Sequence, residues 1–288
     1  MSTALNRLRN SYTTSAFTRL PAAGVTELYE LSAQFFSNKA ALNALDPGDL
    51  YGLMEHHFYL ALITKHDDEA GSLLRQLSDR FGASAPRVSV LRSLHAEATE
   101  GARAAAAVQT EQNASELGMS KRKVQALKSS GPAAYIGGLR KLLDIFPADA
   151  ESWAELAQAY RDAGMYAQAL YALDEVILLF PSAYNMHALA GEVGLEAAAA
   201  APQAGRAALL ETAVKHSLRA AELCDDYVRG WAGALVGATR AAELPHNARA
   251  ATFRSLAAVA KKQLTRIAAA ADVPAADRAA ANALLAVY

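Results

Sequence analysis

The 288 residues include a single cysteine, Cys224. That excludes an internal disulfide and any multi-cysteine zinc centre, and suits a reducing compartment. No apolar run approaches the ~18 residues of a membrane-spanning helix; the longest candidate, Leu195 to Ala201, is alanine-rich and stops at Pro202. Neither charge dominates. The 28 Lys and Arg against 29 Asp and Glu leave a net charge of -1, without the basic face of a general nucleic-acid binder. Catalytic signatures are missing too: no His-Glu-x-x-His, no glycine-rich phosphate loop, no nucleophile elbow. His56 and His57 are adjacent, so on a helix they diverge by about 100° and do not share a metal. No catalytic residue, cofactor, metal or small-molecule substrate is expected. The first 26 residues lack acids and carry Arg7, Arg9 and Arg19. They have no apolar core for a secretory signal. Their composition fits a mitochondrial presequence or a short, poorly ordered segment leading into a helix.

What the chain has in quantity is alanine, the best helix former, and one stretch gives the alanine a pattern. From Ala150, Trp153, Leu156, Ala157 and Tyr160 recur at helical spacing. A turn follows at Asp162-Ala163-Gly164. A second run carries Tyr166, Ala169, Leu170, Leu173, Val176 and Ile177 and stops at Phe180-Pro181. Trp153, Leu156 and Tyr160 share one helix face, Ala157 and Ala169 let the two helices approach, and Pro181 ends the pair. Apart from Ala157 for Gly and Leu173 for Phe, this is the tetratricopeptide signature of about 34 residues. The expected fold is therefore all-α, a right-handed tetratricopeptide superhelix (an α-solenoid). Trp153, Leu156, Tyr160, Ala169, Pro181 and Trp231 are its structural anchors. Trp153 reads as a buried aromatic whose loss to Ala costs roughly 3–5 kcal/mol.

The same register extends both ways. Val25 to Ala44 reads as one helix, Asp49 to Thr64 and Glu69 to Phe81 as a degenerate repeat, and Ala85 to Ser115 as a weaker one. Glu116 to Asp149 recovers the period, with the basic run Lys121-Arg122-Lys123 on its first helix as a solvated face or a contact for an acidic partner. Trp231 lies 78 residues after Trp153, so one repeat is ten residues too long. The excess reads as an exposed excursion at Ala197 to Gly205. Three segments are expected: 1-48, an N-terminal segment packing on the first repeat; 49-270, the repeats; and 271-288, a C-terminal capping helix.

Solenoids of this kind bind along the inner face of their first helices. Counting from Ala150, the inward positions are Glu151, Ala154, Gln158, Arg161 and Asp162, then Asn185, Ala188, Glu192, Leu195 and Glu196. Gln158, Arg161, Asp162, Glu192, Glu196, Lys128 and Arg229 are the expected partner-binding residues. The alternative reading is a soluble tetratricopeptide adaptor or co-chaperone binding a peptide in its concave groove, although the carboxylate-gripping co-chaperones of the class use Lys and Asn where this chain has Ala154 and Gln158.

Several runs make the likeness more specific: RVSVLRSLHAEA (Arg87 to Ala98), KRKVQALKSSG (Lys121 to Gly131), ESWAELAQAY, YAQALYALDEVILLFPSAYN and SLRAAELCDDYVRGW. In order and spacing, over about residues 50 to 240, they resemble the family of the tetratricopeptide subunit (subunit 2) of the endoplasmic-reticulum membrane protein complex. The resemblance implies a non-catalytic scaffold on the cytosolic side of that membrane. It would be peripheral and held by other subunits of a complex that inserts tail-anchored and multi-pass membrane proteins.

Overall fold

A computed structural model describes residues 2–110 and 116–288. The described residues form helices, turns and no strand. They divide into two compact units, 1–126 and 127–288.

In the first unit α1 (Ser2–Thr13), α2 (Ala22–Phe36) and α3 (Lys39–Asn43) precede α4 (Pro47–Ile63), α5 (Asp67–Phe81), α6 (Pro86–Glu100), α7 (Ala102–Thr110) and α8 (Leu117–Ala126). The N-terminal residues are thus an ordered helix. Leu8 is fully buried in a core with Val25, Leu28, Phe35, Leu53 and Leu60, and the Arg9 guanidinium pairs with Asp49. The single helix expected over Val25 to Ala44 is two, because the Asn38 side chain accepts the Ala41 N–H at 3.1 Å and starts α3 as an N-cap. Asp46 caps α4 through the Asp49 N–H at 3.0 Å. The expected helix of residues 101–108 is α7; residues 111–115 of that weaker repeat lie outside the described residues.

The core of α4 is ringed and polar. His56 and His57 are both buried. The His57 ring stacks on Phe36 at 4.8 Å and on Tyr29 at 5.6 Å. Its Nε2 lies 3.1 Å from the Glu69 carboxylate, which also accepts the Tyr29 hydroxyl at 2.5 Å. His56 meets the edge of Phe17 at 5.0 Å and has no hydrogen-bond partner among the described residues. Burial pushes its imidazole down to about 4.

The second unit is α9 (Pro132–Ile145), α10 (Ala150–Asp162), α11 (Tyr166–Leu179), α12 (Tyr184–Ala200), α13 (Gln203–Leu223), α14 (Val228–Ala242), α15 (Ala250–Ala269) and α16 (Ala275–Leu285). Asp149 caps α10 through the Ser152 N–H at 3.1 Å. Gly164 closes the turn after it with φ 70°, a conformation glycine adopts without steric cost. Ala157, Ala169, Ala172 and Leu173 are buried where α10 and α11 meet.

Three connectors repeat one geometry. Phe146, Phe180 and Cys224 end their helices with φ between -122° and -146°. The backbone carbonyl of the next residue then accepts a ring N–H from six residues further on. Trp153 Nε1 donates to Pro147 O at 2.9 Å and Trp231 Nε1 to Asp225 O at 2.7 Å; His187 Nε2 lies 3.3 Å from Pro181 O. His187 holds the tryptophan position of the middle repeat. Both tryptophans are half-buried, which corrects the expectation of a fully buried Trp153. Trp153 lines a cleft of about 380 Å3 together with Tyr171, which is 59% exposed.

The ten extra residues are no loop. Where α10 and α11 have 13 and 14 residues, α12 and α13 have 17 and 21, joined by Ala201 and Pro202. Ala197 and Ala198 are buried, whereas Ala199, Ala200 and residues 202–205 are exposed as expected. Arg206 donates to the carbonyls of Ala198 and Ala201 at 3.0 Å, closing the end of α12. The additions of four and seven residues are close to one and two whole turns, so both helices keep the same faces toward each other. Glycine faces then clasp α13 from both sides. A Cβ at Gly191 or Gly233 would fall 2.3 or 2.4 Å from the Ser217 hydroxyl, and one at Gly194 2.9 Å from Ala213 Cβ.

Candidate partner-binding face

The exposed side of α10 shows Glu151, Glu155, Gln158 and Asp162, spaced so that all four share one face. Across a cleft of about 360 Å3 stand Lys128, Pro132 and Tyr135. The Lys128 ammonium sits 4.9 Å from the centre of the Tyr135 ring, and the Tyr135 hydroxyl donates to Glu155 at 2.5 Å. Gln158 Nε2 donates to Asp162 at 2.7 Å. Lys128, Gln158 and Asp162 are therefore brought together in this cleft.

Arg161, Glu192, Glu196 and Arg229 form a second group, a ladder across α10, α12 and α14. Arg161 donates to both Glu196 oxygens, at 3.0 and 2.5 Å, and lies 3.9 Å from Glu192. Arg229 grips Glu192 with two bonds of 2.7 and 2.9 Å. These hydrogen bonds, then the neighbouring carboxylates, raise both guanidinium pKa values. The charges expected to meet a partner are thus neutralised within the chain and fix the register of neighbouring first helices. Ala188 is buried and offers no inward surface. Of the basic run, Arg122 pairs with Glu97 and all three residues are half-buried, so the run is not a freely solvated face.

Tyr135 and Glu155 did not stand out in the sequence. A signal was present: Tyr135 precedes Ala169 by one repeat of 34 residues, so a phenol occupies the small position of the signature and has to emerge from the helix crossing.

Residues 82–205 match the EMC2 TPR-like repeat domain, a stretch holding the whole cleft and all of the ladder but Arg229. The chain resembles subunit 2 of the ER membrane protein complex. The ER membrane protein complex subunit 2 of Saccharomyces cerevisiae is 25% identical over 207 residues, 67% of this chain and 71% of that protein. The counterpart in Xenopus tropicalis is 33% identical over 137 residues, 46% of each chain. The TPR repeat protein oca3 of Schizosaccharomyces pombe is 30% identical over 189 residues, and the match spans 64% of this chain and 65% of that protein. In structure, the C-terminal part of a TPR repeat-containing protein from Cytophaga hutchinsonii is similar over 95% of this chain and 97% of its own. The TM-score is 0.52 at 12% sequence identity. The fold is that of an all-α tetratricopeptide solenoid.

Proposed function

We propose that the chain is a non-catalytic scaffold subunit of an endoplasmic-reticulum membrane protein complex. It sits peripherally on the cytosolic face of a complex that inserts tail-anchored and multi-pass membrane proteins. The observation that carries this reading is the match of residues 82–205 to the subunit 2 repeat domain. Among the described residues no helix is long and apolar enough to cross a membrane, which supports attachment through other subunits. Partner contact falls on Lys128, Gln158 and Asp162 in the cleft; Arg161, Glu192, Glu196 and Arg229 shape the adjoining face.

The test is co-purification of the tagged chain from detergent-solubilised membranes, with and without alkaline extraction. Membrane subunits should accompany it from detergent, and alkali should release it alone. Lys128→Glu with Gln158→Lys leaves the ladder intact, so it should keep the melting temperature and lose partners. Recovery without membrane subunits would favour a soluble adaptor; retention in alkali-washed membranes would reveal a direct anchor.

A further inference from the structure

One cleft of the first unit is far from the face just described in sequence and differs from it in chemistry. It holds about 650 Å3, within the range of about 300–1,000 Å3 typical of sites that take ligands. Its floor and walls are apolar: Tyr51 from α4, Leu77 and Phe81 from α5, Val88 and Leu91 from α6. Tyr12 of α1 lies against the bare backbone of Gly52, where a Cβ would come 2.9 Å from the ring. Phe81 meets Tyr51 edge-on at 4.8 Å and remains 50% exposed.

The charges are unequal. Glu55 is largely buried and held by Arg87, which also donates to the Tyr12 hydroxyl at 3.0 Å. Arg80 lies over the Tyr51 ring, 5.9 Å from its centre, and makes no ion pair among the described residues. Two guanidiniums thus face one carboxylate. An apolar cleft with a surplus cation on its aromatic rim complements a bulky apolar side chain next to an anion. A basic occupant would meet repulsion, and a neutral one would leave Arg80 unused.

We infer that this cleft docks a partner protein segment in which a large apolar residue, entering between Tyr51, Phe81 and Val88, is flanked by an Asp or Glu that pairs with Arg80. The Arg80 guanidinium stands 5.9 Å from the centre of the Tyr51 ring, and its planar fork of N–H donors can meet both oxygens of a carboxylate.

The test is selection of a random octapeptide library on the full chain. Enriched peptides should place Asp or Glu within a few residues of Phe, Leu, Ile or Met. Arg80→Glu should weaken them about tenfold, as loss and reversal of one charge pair predicts, and replacing their acids by Lys should restore binding to that variant. Phe81→Ala should weaken them while leaving the charge preference. Arg80 and Phe81 are both exposed, and circular dichroism checks that both variants stay folded. No enrichment over an unrelated protein, enrichment of basic peptides, or equal binding by both variants overturns the inference. So does flotation of phosphatidylserine vesicles that depends on Arg80 without peptide enrichment, which would make the occupant a lipid surface.

Discussion

The two units pack their helices by opposite means. In the first, helices meet through large rings: Phe58 is fully buried beside His56 and His57, and Phe36, His57, Tyr29 and His66 stack in succession. In the second, the crossings of α12, α13 and α14 are made by Gly191, Gly194, Gly230, Gly233, Ala213 and Ser217. Small residues allow one crossing geometry to recur, because the backbones themselves set the distance. Large rings fit only their own neighbours, so each helix pair of the first unit is individual. Regularity in the second unit and irregularity in the first are both consequences of side-chain size at the crossings.

The sharpest way to break this contrast is to exchange the two kinds of packing. Phe58→Ala should cost about 3–5 kcal/mol, the range for a large buried aromatic, read as a lowered urea midpoint. Gly194→Leu should cost about 3 kcal/mol by forcing α12 and α13 apart; an unchanged midpoint would show that the crossing can relax. Acid should act on the first unit through His56. Its pKa is near 6.5 unfolded and about 4 folded, so the unfolded chain takes up the proton first. Stability is complete above about pH 6.5 and falls by about 3 kcal/mol as pH drops toward 4. His57 shifts in the same direction, by burial. His56→Phe should flatten the midpoint-against-pH curve over that interval. Trp153→Ala should cost about 2 kcal/mol, because the half-buried indole loses contacts and one hydrogen bond. The smallest effect belongs to the ladder: a double-mutant cycle on Arg161 and Glu196 should give a coupling of about 0.5–1 kcal/mol, fading with salt.

The same contrast explains what could be read from the sequence. The pair α10 and α11 stood out because Trp153, Leu156, Tyr160, Ala169 and Pro181 keep both identity and spacing. In the first unit only spacing survives, since its ring stacks join residues from α2, α4 and the turn before α5 that no local pattern links. The excess of ten residues was legible, but its form was not: Pro202 suggests a loop, and only the carbonyls held by Arg206 reveal two helices meeting at a tight corner. For the binding face, the positions were legible and the pairing was not. Charges at Arg161, Glu192 and Glu196 look available one repeat at a time, and they meet only when first helices lie side by side.

The lengthened pair α12 and α13 carries a rule about growth. A helix extended by two residues turns its next side chains by about 200° and would present polar faces to Ala213 and Ser217. Extensions near whole turns escape this, so such a pair can change its reach only in steps of about 5.4 Å. Its height is in effect quantised. The crossings that fix the array stay untouched, and the added turns find cover on the next pair, where Ala198 and Leu210 share a buried cluster with Ala238 and Ala241 of α14 and Phe253 of α15.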